Sequence, residues 1–291
     1  MIYHLENQHI IAKINARGCE LSYLFDKNGN RNYLYEGKSE GWSRQSPILF
    51  PVIGRLHNDS IIVEGEAYGM PVHGFAKDCF FKKVEESDSH VKMLLSHSSE
   101  TLEVFPYKFD FFVTHSIENS TLRVLYKIVN KDDKTIYASV GGHPGFKLEQ
   151  NTKLEDYSIV FNRRIDVITR RRYRDLLSLT KEIIELDVNR YKLKPDDFRN
   201  GPIIIEDLVS SAMLINEEIN FKVILNFDGF EVLGLWTRES MVDDAEFICI
   251  EPWCGIDDLE GSLPCEFGDK PRIKRIEVGK ALDLSYSITI G

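Results

Sequence analysis

Apolar and polar side chains alternate in short runs along most of the chain. IIAKINA from residue 10, CELSYLF from Cys19, SIIVEGEAY from Ser60, VKMLLSH from Val91, DFFVTHSIE from Asp110 and TLRVLYKIV from Thr121 each put their apolar side chains mainly on one face of an extended segment. IYASVGG, YSIVF, PIIIE, FKVILNF, EVLGLWT, EFICI, RIKRI and LDLSYSITI are further strand candidates. Turn-forming clusters separate several of them: DKNGN after Phe25, ENST at 118–121 and NKDDK at 130–134. Helical periodicity is confined to SSETLEVF near 98–105 and the charged region from Thr169 to Tyr191. So many strands and so few helices argue against a parallel βαβ sheet. They predict an all-β chain, a large antiparallel β-sandwich with few short helices. No repeat of 20–50 residues points to a propeller or solenoid. No linker-like tract divides the sequence, so residues 1–291 are expected to form a single domain.

Composition narrows the partners. The net charge of −10, from 46 acidic and 36 basic residues, repels nucleic-acid backbones and anionic lipid, so neither nucleic acid nor membrane is expected as a partner. The densest basic run, Arg170 to Arg174, reads as a solvated face beside the helix-like stretch. MIYHLENQHI lacks the unbroken apolar stretch of a signal peptide, and no apolar run approaches membrane-spanning length. A soluble, cytoplasmic protein is expected. Five scattered cysteines, Cys19, Cys79, Cys249, Cys254 and Cys265, fit reduced thiols rather than a disulfide framework. The last three lack the paired spacing of a structural zinc site.

Four segments place polar side chains in unusual company. SPILFPVIGRL, from Ser46, carries prolines 47 and 51 and a lone guanidinium, Arg55, after Gly54. Proline removes ladder donors, so the segment is expected to cross the end of a sheet. Arg55 there offers planar, always-charged donors for sugar hydroxyls or an anion, against the competing reading of a surface salt bridge. MPVHGFA sets His73 before Gly74, and VGGHPGF sets His143 among three glycines and a proline, where a backbone or ligand can approach closely. A histidine bonded to a loop carbonyl is the competing reading for both, and the glycine setting favours function for His143. EFICIEPWCGI ends an apolar strand on Glu251, a position at which a carboxylate is tuned as a general base unless it is simply paired with an arginine. Trp236 and Trp253 offer flat faces for the C–H side of a pyranose, or fill the core.

SPILFPVIGRL, VHGFA, GGHPGF, LGLWT and ICIEPWCG stand in an order and spacing that resemble the galactose mutarotase-like (aldose 1-epimerase) superfamily, with flanking sequence similar to its LacX-like branch. The resemblance runs over nearly the whole chain. It implies a carbohydrate cleft across one sheet of a β-sandwich and interconversion of α and β anomers of an aldose. By that resemblance Glu251 matches the general base acting on the anomeric hydroxyl, and His143 the general acid acting on the ring oxygen. His73 matches a second histidine near that oxygen, and Arg55 a sugar-binding arginine. Many relatives hold a sugar hydroxyl with an aspartate where this chain has Gly201; Asp196, Asp197, Glu206 and Asp207 are the candidates to replace it. Arg44, eleven residues before Arg55, is a candidate second ligand for a hexose 6-phosphate. The partner is thus a small-molecule sugar or sugar phosphate.

One base and one acid suffice for opening a hemiacetal ring, and neither a dinucleotide fingerprint nor a P-loop is present, so no cofactor is expected. Three other readings compete. A non-catalytic sugar-binding protein would not need both Glu251 and His143. A metal centre of His73, His143 and Glu251 would more often draw its histidines from one strand. A glycosidase needs two facing carboxylates, and the sequence offers one well-placed candidate.

Overall fold

The computed structural model describes residues 1–291 except 39–40, 164–166, 174–175, 185 and 207–208, and the backbone alone for 167–173 and 183–184. Strands make up 49% of the chain and helix 10%, so the alternation read from the sequence governs the architecture. Two large antiparallel sheets dominate. The first runs, neighbour by neighbour, through Arg190–Lys192, Ser158–Phe161, Ser211–Asn216, Phe221–Asn226, Ala281–Ile290, Thr121–Asn130, Phe109–Glu118, His90–Ser96 and Lys82–Glu86. The second runs through Leu176–Ile184, Val167–Tyr173, Ile203–Ile205, Val232–Trp236, Phe247–Cys254, Val140–Gly142 and Ile48–Leu49, with Gly145–Lys147 also paired to Phe247–Cys254. A smaller sheet joins Ile2–Glu6, Ile10–Asn15, Glu20–Asp26 and Arg31–Asn32.

Local chemistry sets these elements. Phe109–Glu118 and Thr121–Asn130 pair from Glu118↔Thr121 outward, across a tight turn whose first residue, Asn119, has φ +50°. Burial alternates residue by residue along the first of the two. SSETLEVF forms the helix Ser99–Val104, started by a reciprocal cap in which the Ser98 hydroxyl accepts from the Thr101 N–H and the Thr101 hydroxyl from the Ser98 N–H. The proline-bearing segment supplies Ile48–Leu49 at the end of the second sheet, and its Phe50–Pro51 bond is cis.

Two expectations are corrected. SIIVEGEAY is a hairpin, Ser60–Val63 with Glu66–Gly69, because Glu64 and Gly65 both adopt positive φ (55° and 83°) and reverse the chain. The described residues of Thr169 to Tyr191 form strands and a turn in place of the expected helix. Val167–Tyr173 pairs with Leu176–Ile184 on one side and with Ile203–Ile205 on the other. The available sheet edge satisfies backbone groups that a weakly periodic, β-branched stretch leaves without a strong helical preference. The side chains of the Arg170 to Arg174 run lie outside the described residues.

The core lies between the two large sheets. Ile203, Ile205, Leu233, Leu235, Ile248 and Ile250 from the second sheet join Phe111, Val113, Leu122, Val124, Leu214 and Val223 from the first in one cluster. The alternate residues Ile204, Val232 and Trp253 pack in a separate cluster with Leu49, Ile53, Leu177 and Ile256, on the second sheet's other face. Phe247–Cys254 is therefore buried along its whole length, on both faces. Glu251, in step with Trp253, belongs to the face turned away from the sandwich core. Among the described residues no helix is long and apolar enough to cross a membrane.

Candidate active site

The register of one strand assembles the site. Phe247–Cys254 pairs with Val140–Gly142 at Trp253 and Cys254 and with Gly145–Lys147 from Cys249 back to Phe247. The intervening His143 and Pro144 must then lie alongside residues 250–252, and the Ile250 N–H donates to the Pro144 carbonyl at 3.2 Å. His143 Nε2 comes to 3.2 Å from Glu251 Oε2. The same oxygen accepts the Trp253 indole N–H, also at 3.2 Å. Glu251 is 1% exposed and His143 7%. Gly234 sits opposite Glu251 on the neighbouring strand, and a Cβ there would fall 2.7 Å from the Trp253 ring. The glycine leaves that indole its room.

His73 arrives from a different part of the chain. Its backbone has φ +63°, its N–H donates to the Gly54 carbonyl at 2.9 Å, and its Nδ1 accepts the Gly54 N–H at 3.0 Å. An Nδ1 that accepts carries no hydrogen, so the ring is neutral and Nε2 is its donor. The two imidazoles stand nearly perpendicular, 5.6 Å between centroids.

His73, His143, Glu251, Trp236 and Trp253 line one cavity of about 250 Å³. The structure thus brings together five residues singled out from the sequence. It adds three that sequence reasoning missed: Trp42, Pro202 and Glu239. Trp42 lies 5.0 Å from the His143 ring and 5.5 Å from Trp236, which it meets edge-on. A Cβ on Gly145 would strike it at 2.5 Å. Glu239 is a second carboxylate in the cavity, taking the Trp236 indole N–H at 3.1 Å. Trp42 lies in a polar loop where no alternation flagged it. Glu239 had only its three-residue spacing from Trp236 as a signal.

The remaining candidates lie elsewhere. Arg55 pairs with Asp59 at 3.0 Å, and its backbone N–H donates to Asp257 at 2.8 Å. Arg44 engages Glu20, Asp78 and the Lys77 carbonyl. Glu20 also takes the backbone N–H groups of Gln45 and Ser46, so this cluster fixes the chain between Trp42 and the Ile48–Leu49 strand. Neither arginine lines the cavity. Of the four candidates to stand in for an aspartate at Gly201, Asp196 pairs with Arg199, Asp197 accepts the Tyr191 hydroxyl, and Glu206 pairs with Arg272. Asp207 lies outside the described residues.

Cys249 shares the strand face of Glu251 and is fully buried. Burial, and then the charge of Glu251, push its thiol well above the usual cysteine range, so without a cation beside it the thiol is neutral. Among the described residues, His143, Cys249 and Glu251 are the group that could hold a metal ion.

The arrangement is a neutral histidine, a second histidine in contact with a buried carboxylate, and aromatic walls. It can remove one proton and deliver another at adjacent points. The family model for aldose 1-epimerase matches residues 1–227. The plasmid-encoded protein LacX of Lactococcus lactis subsp. lactis is 28% identical over 305 residues, covering 100% of this chain and 99% of its own. A galactose mutarotase related enzyme from Lactobacillus acidophilus superposes with a TM-score of 0.95 at 27% identity, over 100% of this chain and 97% of that one. A galactose mutarotase-like protein from Lactobacillus casei gives 0.93 at 28% identity, over the full length of both chains.

Proposed function

We propose, from the premise that this chain belongs to the aldose 1-epimerase family, that it interconverts the α and β anomers of an aldose, with Glu251 as general base and His143 as general acid. The observation that carries this reading is the 3.2 Å separation of His143 Nε2 and Glu251 Oε2 at the cavity wall. The hydroxyl that must lose a proton and the ring oxygen that must gain one are bonded to the same carbon. An acid and a base that serve both must themselves be neighbours.

In the opening step Glu251 takes the proton from the anomeric hydroxyl, the C1–O5 bond breaks, and O5 receives a proton from His143. Rotation about C1–C2 presents the other face of the aldehyde, and the reverse transfers close the ring on the opposite anomer. The proton count is unchanged over a cycle, so the reaction needs no cofactor. The Trp253 N–H holds the carboxylate in place, and the neutral His73, a donor through Nε2, steadies the ring-oxygen side. Trp42 and Trp236 offer apolar faces to the sugar C–H groups. Each positioned acid or base contributes about 10²–10⁴-fold to the rate.

For Arg55 or Arg44 to hold a phosphate, each would first have to leave its carboxylate partners. The cavity itself has two carboxylates and, among the described residues, no lysine or arginine. The proposal therefore puts a free aldose first and a hexose 6-phosphate second. Polarimetry of freshly dissolved α-anomers, across a panel of hexoses and their 6-phosphates, tests it: acceleration is expected for at least one free hexose. Sugar binding without acceleration of any panel member would replace this reading with that of a non-catalytic sugar-binding protein.

A further inference from the structure

The acid–base pair has a third polar neighbour that the proposed reaction does not use. A ring nitrogen of His143, the Cys249 sulfur and a carboxylate oxygen of Glu251 all lie within 4.8 Å of one another, and all three residues are buried. Three atoms so placed have a common point no more than about 2.8 Å from each, against metal–ligand distances of about 2.0–2.3 Å for zinc with nitrogen, oxygen and sulfur. A tetrahedral zinc sets its ligand atoms about 3.3–3.8 Å apart, so drawing these three together by up to about 1–1.5 Å would complete three sides of a tetrahedron. His143 and Glu251 line the cavity and Cys249 does not, so the fourth side faces the cavity.

From this geometry we propose that His143, Cys249 and Glu251 form a site for a thiophilic divalent cation, zinc above all, and that its occupation shuts the enzyme off. The mixed sulfur, nitrogen and oxygen set excludes magnesium and calcium, which take oxygen ligands. On binding, the thiol gives its proton to solvent and the sulfur electron pair goes to the metal. The imidazole binds through Nε2, the nitrogen that faces Glu251, after giving the proton there to solvent, and its remaining hydrogen is on Nδ1. Thiolate, carboxylate and dication sum to zero charge, which relieves the cost of placing any one of them alone in a buried position. The repulsion from Glu251 that helps keep the Cys249 thiol protonated is what a dication would cancel. A metal held there takes both proton-transfer groups at once.

The inhibition rests on the catalytic reading given above, and the binding does not. Two measurements on the full-length protein, freed of metal by chelation, keep them apart. Titration with cobalt(II) alone is expected to give a thiolate-to-metal charge-transfer band that saturates at one equivalent, is displaced by zinc, and is missing in both Cys249→Ser and Cys249→Ala. A band that persists in those variants, or none in the wild type, would overturn the site. Zinc is then added to the mutarotation assay with each protein's own zinc-free rate as reference. The zinc concentration for half-inhibition should rise at least about tenfold in the Cys249 variants, the scale on which metal affinity falls when a site is weakened. Equal zinc sensitivity in wild type and variants would overturn the inhibitory role. A cobalt band in a protein that accelerates no anomeric exchange would leave the site standing and remove the catalytic reading instead.

Discussion

Replacing Glu251 by glutamine separates chemistry from structure more cleanly than any other single change. The Trp253 indole N–H donates to one oxygen of this side chain, Oε2, and His143 Nε2 approaches the same oxygen at 3.2 Å. An amide oxygen in that position accepts the indole N–H and keeps the imidazole contact, so the strand register and the His143 ring should stay where they are. Burial costs are not increased, because a charge at a 1% exposed position is exchanged for a neutral group. What is lost is the capacity to take the anomeric proton. The expected loss is about 10²–10⁴ in kcat, or about 3–5 kcal/mol of barrier. His143→Asn should show a loss of similar size. Because both groups serve one transition state, the double variant should lose far less than the product of the two. Polarimetry gives the rate, and the fluorescence of Trp42 and Trp236 at the cavity gives sugar binding on the same samples. Glu251→Gln turning over at the wild-type rate, with sugar still bound, would refute the assignment of the base and the mechanism built on it.

Trp42→Ala removes one cavity wall and should raise KM about tenfold with a smaller change in kcat, the loss expected for an aromatic contact of about 1–1.5 kcal/mol, measured by steady-state polarimetry. Gly74→Ala would put a Cβ 2.1 Å from the Phe50 carbonyl oxygen at φ +73°. It should cost more than the roughly 1–2 kcal/mol of left-handed strain alone and lower the melting temperature, with activity falling because His73 is the preceding residue. His115 is buried neutral, its pKa pushed down from 6.5 to about 3 by loss of solvent. The unfolded chain therefore binds a proton that the folded chain refuses between those pH values, so this contribution to stability is complete above about pH 6.5 and is lost as pH falls towards 3. Urea unfolding at pH 5.5 should show about 1.4 kcal/mol less stability from this group than at pH 7.5, and a His115→Leu variant should lack that component. If the chain is one domain, as its lack of a linker implies, calorimetry should record a single cooperative transition, and two resolved transitions would contradict that.

Much of the molecule is written into the local order of residues. Alternation with period two needs no long-range information, so runs such as DFFVTHSIE and TLRVLYKIV state their strand character and their turn directly. His143 and Glu251 were legible because each breaks such a run in a way that sheet chemistry does not require, among glycines in one case and at the end of an apolar strand in the other. Thr169 to Tyr191 was misread because its weak periodicity leaves the choice to the neighbouring sheet edge, which only the folded chain provides. The cavity's Trp42 and Glu239 are visible only in three dimensions, since an aromatic in a polar loop and an acidic residue after a strand are common and most do nothing. The partners of Arg44 and Arg55 were equally hidden. An arginine's reach exceeds any local window, and Glu20, Asp78 and Asp59 compete for it only once the strands have set their positions. The sequence determined that an imidazole and a carboxylate stand where sheet chemistry requires neither; the register of Phe247–Cys254 against two short strands decided that the two lie 3.2 Å apart. Pairing between strands a hundred residues apart is settled by the whole sheet, and no stretch of chain carries it alone.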